Sequence, residues 1–125
     1  MPAQEDPLTH QVIGAAIEVH RELGPGLLES AYEHCLCHEL TTIGIPFRRQ
    51  VDLPVTYKGT KIDAGYRIDL VIGNQLVIEI KTVQALAPIH EAQLLTYLRL
   101  SGIRKGLLLN FHTPVLKNGI KRMIL

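Results

Sequence analysis

Two short apolar runs, Tyr66 to Ile72 and Gln75 to Lys81, are separated only by Gly73 and Asn74. Gly and Asn tolerate the positive φ angles of a tight hairpin turn, so the runs are predicted to be adjacent antiparallel strands. Each is built of Ile, Val and Leu, yet each has an acid within it. At period two, Ile68, Leu70 and Ile72 fall on one face and Arg67, Asp69 and Val71 on the other. In the second strand Val77, Glu79 and Lys81 share a face opposite Ile78 and Ile80. Burying an unpaired carboxylate is strongly unfavourable, so Asp69 and Glu79 call for a cation, an ion-pair partner or open water.

Helical periodicity lies on both sides of this hairpin. Thr9 can cap a helix to about Leu23, with Val12, Ile13, Ala16, Ile17 and Leu23 as its apolar stripe, and Gly24-Pro25-Gly26 stops it. A second helix is predicted from about Leu27 to Thr42, with Leu28, Ala31, Tyr32, Cys35, Leu36 and Leu40 facing inward and Gly44 as its stop. From Phe47 to Val55 the period changes to two; Pro54 marks an edge strand or a strand end, and Tyr57-Lys58-Gly59 reads as a turn. A third helix spans about Ile89 to Gly102. Gly106 to Phe111 is a buried strand by its length and composition, and Ile120 to Leu125 is a further strand candidate. The order predicts an α/β protein with a mixed sheet covered by helices, formed as one domain over residues 1–125, with 1–7 as a loose N-terminus.

Composition excludes several classes. Of 125 residues, 46% are hydrophobic and 20% charged, so the chain can bury a core rather than remain disordered. Four Tyr, two Phe and no Trp, without regular spacing, argue against an aromatic platform for single strands. The longest uncharged stretches, Pro7–Ile17 and Gly106–Leu116, are about half the roughly 20 residues a bilayer requires. The acidic start leads into no apolar signal core, so the expectation is a cytoplasmic protein without membrane contact. The net charge of +1 hides a segregation: residues 1–47 hold seven acids against Arg21 alone, whereas 92–125 hold six basic residues and no acid. A basic C-terminal third could meet phosphate, although helices and strands with solvated lysines are the commoner explanation.

The acids in the hairpin are the clearest chemical signal. Carboxylates on neighbouring strands can hold a hard divalent ion, and a lysine two residues after the second sets an ammonium beside the ion's water. The same spacing also fits solvated charges on an open sheet face, with Lys81 bridging Glu79 or Asp69. On the third helix His90, Gln93 and Tyr97 lie along one side, where Gln93 could bind phosphate or water or simply face solvent. Glu29, in the first turn of the second helix, is favoured there by the helix dipole whether or not it has a function. His34 and His38 share a helical face, but Cys35 and Cys37 diverge from it by their helical angles, so core cysteines and surface histidines are favoured over zinc. No Gly-rich phosphate loop and no Ser or Cys nucleophile signature is present.

Gly26-Leu27-Leu28-Glu29-Ser30-Ala31-Tyr32, Gly65 to Val71, Val77 to Lys81, Pro88 to Leu98 and Leu108 to Phe111 together resemble the GxxExxY proteins, a bacterial and archaeal group within the PD-(D/E)xK nuclease superfamily. The resemblance runs from about Val12 to Lys121, with Ile68 where the superfamily's proline would stand. It implies a restriction-endonuclease-like αβββαβ core with an extra N-terminal helix. It implies Mg2+ or Mn2+ held by Asp69, Glu79, the Ile80 carbonyl and Glu29, with Lys81 and Gln93 in the catalytic set and Gly26, Tyr32 and Tyr97 in support. The activity implied is phosphodiester hydrolysis of nucleic acid, DNA in preference to RNA. A non-catalytic module that keeps the fold and binds nucleic acid or protein is the alternative. A homodimer, or a partner protein supplying specificity, is compatible with so small a chain.

Overall fold

The computed structural model describes residues 5–125. Helix α1 (Pro7–Leu23) and helix α2 (Glu29–Thr42) precede strands β1 (Phe47–Asp52), β2 (Val55–Tyr57), β3 (Thr60–Ile62), β4 (Arg67–Ile72) and β5 (Leu76–Lys81). Helix α3 (Pro88–Ser101), β6 (Lys105–Asn110), a short 3-10 turn (Leu116–Gly119) and β7 (Ile120–Ile124) follow. The main sheet has the order β1-β4-β5-β6-β7, antiparallel throughout except for the β5–β6 pair. That parallel pair requires a crossover, and α3 supplies it. β2 and β3 form a separate two-stranded ribbon.

The helices cover both faces. Val12, Ala16 and Val19 of α1 and Tyr32, Leu36 and Leu40 of α2 pack with Leu70, Ile72, Ile78, Leu107 and Leu109 on one face of the sheet. Leu94, Tyr97 and Leu98 of α3 pack with Val71, Val77 and Leu108 on the other. With α1 and β7 set aside and the β2–β3 ribbon taken as an insertion, the remaining order is the expected αβββαβ core, and the mixed five-stranded sheet flanked by helices is consistent with a restriction-endonuclease-like fold.

Several local expectations are corrected. Of the segment 1–7, residues 1–4 lie outside the described residues, Asp6 flanks α1 and Pro7 is its first residue. Asp6 rather than Thr9 caps that helix. Pro7 fits its first position because the missing N–H is not needed there, and Thr9 donates from its backbone N (2.9 Å) and Oγ1 (2.8 Å) to the Asp6 carboxylate. Ile17, Leu23 and Leu28, read as inward-facing, are 40%, 39% and 77% exposed: the first two lie off the buried arc of α1, and Leu28 precedes α2. α2 starts at Glu29 rather than Leu27, with Leu28 as its extended flanking residue. Pro54 ends β1, and Lys58 and Gly59 turn the chain at positive φ (49° and 79°) into β3, a strand the sequence did not announce.

The charge segregation also resolves in three dimensions. Lys105 Nζ lies 2.7 Å from Asp6 Oδ2, Arg122 pairs with Glu5, and Lys121 lies 3.8 Å from Glu91. Three of the six C-terminal basic residues therefore face acids rather than a free ligand. The Lys105 hydrogen bond, then that of the Thr9 backbone N–H, holds the Asp6 carboxyl well below its ordinary value of 3.8. A depressed carboxyl stabilises the fold above its unfolded pKa and loses that contribution as pH falls. Asp6→Ala is expected to cost about 1–2 kcal/mol at pH 7. Urea denaturation should show the gap to wild type closing as pH drops below 3.8; a gap unchanged at low pH would refute the assignment.

Candidate active site

The approach to α2 explains the Gly–Glu–Tyr pattern. Gly26 takes a φ of 109°, which L side chains rarely adopt, and this lets the chain reverse between α1 and α2. Tyr32 is fully buried and stacks on Phe111 with ring centroids 4.4 Å apart. Its hydroxyl donates to the Gly24 carbonyl (2.6 Å) and accepts from the Leu27 N–H (3.1 Å), clasping the loop that leads to Glu29. Glu29 is exposed at the first position of α2, and its Oε2 accepts the Thr82 N–H at 3.2 Å, just beyond the end of β5. Gly26 and Tyr32 thus set the loop before Glu29 and take no part in the acidic group itself. Tyr32→Phe is expected to cost about 1–3 kcal/mol by leaving two loop groups without their partner. Chemical denaturation would measure this, and a variant as stable as wild type would remove the clasp.

Asp69 lies where the sheet opens. β1 pairs Arg49 with Leu70 and Val51 with Ile68, but Gln50 and Asp69 are not paired, and the β4–β5 ladder extends no further than Leu70 and Ile78. The freed backbone groups meet carboxylates instead: the Asp69 N–H donates to Glu79 Oε2 (2.8 Å) and the Ile80 N–H to Asp69 Oδ2 (2.8 Å). Each acid caps the other's strand. The opening also shifts the side-chain alternation, so Ile68 packs on the α3 side with Val71 and Val77 rather than with Leu70 and Ile72, which corrects the period-two reading.

Next to the acids runs a polar chain from β5 to α3. Lys81 Nζ donates to Gln93 Oε1 (3.1 Å), and Gln93 Nε2 donates to the Tyr97 hydroxyl (3.2 Å). Lys81 therefore engages glutamine rather than bridging Glu79 or Asp69. Beyond Lys81 the backbone is held by buried Asn110, which accepts from the Val83 N–H (3.1 Å) and donates to the Val83 carbonyl (2.8 Å). An open apolar groove lined by Val55, Tyr66, Ile89 and Leu100 adjoins Gln93 and Tyr97.

Burial, followed by the charge of Asp69, pushes the Glu79 carboxyl up to about 8. Burial also raises Asp69, with Glu33 and Glu29 adding negative charge. The Tyr97 hydroxyl is raised by burial and then by Glu79. Sheltered acids raised in this way form an environment short of positive charge, and a hard cation with oxygen ligands is what this donor set suits. Asp69 and Glu79 are thus drawn together, while Glu29 bonds to Thr82 just beyond β5 and reaches the two acids only through its charge, which raises both. Among the described residues, however, no group of three or more His, Cys, Asp or Glu is gathered as a metal cluster. Cys37 is buried and Cys35 half-buried, while His34 and His38 are exposed.

Sequence reasoning missed Glu33, Arg49 and Gln50. Glu33 is buried on α2, where Arg49 Nε donates to its Oε2 (2.8 Å) and Gln50 Nε2 to its Oε1 (2.7 Å). Its spacing with Leu36, Cys37 and Leu40 places it on the inward face, and that is the signal that could have found it. The fold is consistent with that of a restriction-endonuclease-like α/β protein. The chain belongs to the PD-(D/E)XK nuclease superfamily, whose family model matches residues 6–123. No curated protein and no solved structure matches it.

Proposed function

We propose that the chain is a metal-dependent nuclease that hydrolyses phosphodiester bonds of nucleic acid, DNA in preference to RNA, and that residues 1–125 form one catalytic domain. The observation that carries this reading is the reciprocal capping of Asp69 and Glu79, a half-buried and a buried carboxylate with raised pKa values beside a lysine whose hydrogen bond goes to Gln93. Asp69, Glu79, the Ile80 carbonyl and Glu29 would hold Mg2+ or Mn2+. When bound, the ion neutralises charge on the phosphate and makes water more acidic. Gln93 holds the Lys81 ammonium, which is a donor for the attacking water or for a phosphate oxygen in the transition state. Tyr97 fixes Gln93, and Gly26 and Tyr32 fix the loop before Glu29. Glu29, Gly26 and Tyr32 also supply the signature of the GxxExxY group, to which we assign the chain.

The test is incubation of the purified protein with supercoiled, linear and single-stranded DNA and with RNA in Mn2+. Cutting that EDTA stops and that Lys81→Ala lowers by about 100-fold or more, the scale for loss of one preorganised electrostatic donor, is expected. Salt-dependent binding with no cutting of any substrate would instead make the chain a binding module that retains a nuclease fold.

A further inference from the structure

Gln50 occupies an unusual position for a strand residue. It lies within β1 with a φ of 49°, a left-handed conformation in which the Cβ of an L residue crowds its own backbone. Among the described residues other than glycine with positive φ, Lys58 and Asn74 lie in exposed turns, where the chain must reverse; Gln50 does not. Gln50 is also the β1 residue opposite the unpaired Asp69. Its side chain accounts for the conformation: Nε2 donates to the buried carboxylate of Glu33 at 2.7 Å and lies 3.4 Å from Asp69 Oδ1. Glu33 is in turn fixed by Arg49 at 2.8 Å. A chain of contacts thus runs from α2 through β1 to one oxygen of Asp69, while the other oxygen accepts the Ile80 N–H. Both oxygens of Asp69 are thereby oriented, and each keeps a lone pair for a further ligand.

We propose that Gln50 is a positioning residue, anchored on Glu33, that sets the orientation of the Asp69 carboxylate for a divalent cation, and that β1 keeps its left-handed residue for this purpose. The inference rests on the metal-dependent reading above. Partners behind a liganding carboxylate typically govern metal affinity by about 10- to 100-fold.

Gln50→Gly separates this role from a structural one, because glycine accepts the backbone conformation without strain while losing the amide. The expected result is a melting temperature in EDTA close to that of wild type, because relief of the left-handed φ offsets the bond lost to Glu33, together with Mn2+ affinity, measured by calorimetric titration, about 10- to 100-fold weaker than wild type. Lys58→Gly relieves the same φ in an exposed turn and should leave Mn2+ affinity unchanged. Gln50→Gly with wild-type Mn2+ affinity overturns the positioning role while leaving the metal site intact. A Gln50→Gly protein that loses stability and affinity in parallel makes the residue merely structural and also overturns the proposal. Wild-type protein whose Mn2+ binding is absent, or is unaffected by Asp69→Ala, fails the metal reading and this inference with it.

Discussion

Asp69→Ala is expected to lose measurable Mn2+ binding and to cut nucleic acid at less than about one hundredth of the wild-type rate, with its circular dichroism spectrum unchanged. The reason is the number of roles that converge on one side chain. Asp69 Oδ2 accepts the Ile80 N–H, Oδ1 faces Gln50, and its charge is the second cause, after burial, of the raised Glu79 carboxyl. Removal takes away a ligand and the orientation of its neighbours together. The fold survives because two effects oppose: the Ile80 N–H loses its acceptor, at about 1–3 kcal/mol, while a half-buried charge beside Glu79 disappears. Asp69→Asn sharpens the test. It keeps an acceptor for Ile80, so its stability should equal or exceed that of wild type while Mn2+ binding still fails. Wild-type cutting by either variant would remove Asp69 from the site.

What the sequence revealed and what it concealed follow from range. Gly73 and Asn74 both take positive φ (55° and 53°), and the Gln75 N–H bonds to the Ile72 carbonyl, so the predicted hairpin is a local property of its turn residues. Asp69 and Glu79 were legible because an acid within an Ile–Val–Leu strand is a local contradiction. The Lys81–Gln93 bond joins β5 to α3, and periodicity could place each residue on its element but not the two in contact. Gln50 had no local signal, since its role exists only where two ladders open at Asp69 and α2 presents Glu33. The same distinction holds at Asp6, whose partner Lys105 is 99 residues away.

In EDTA, the stability of the wild-type protein should fall as pH rises from 4.5 to about 8, and Glu79→Gln should remove most of that slope. The sign follows from proton counting. Burial, then Asp69, raises the Glu79 carboxyl from 4.5 in the unfolded chain to about 8 in the fold. Between these values the folded state holds a proton that the unfolded state has released, so the contribution of Glu79 to stability is greatest below 4.5 and declines until pH passes the folded value. The loss is on the order of a few kcal/mol, since every tenfold difference in proton affinity between the two states corresponds to about 1.4 kcal/mol. Glu79→Gln keeps an oxygen for the Asp69 N–H and carries no proton to lose, so at pH 8 it should melt higher than wild type without metal. Mn2+ inverts the order. Binding to the folded state alone raises the wild-type melting temperature, most at high pH where no proton competes, and leaves Glu79→Gln largely unmoved. Thermal melts of both proteins at pH 5 and pH 8, with EDTA and with Mn2+, measure all four corners. A flat wild-type profile in EDTA, or equal Mn2+ stabilisation of the variant, would exclude Glu79 as the proton-exchanging ligand.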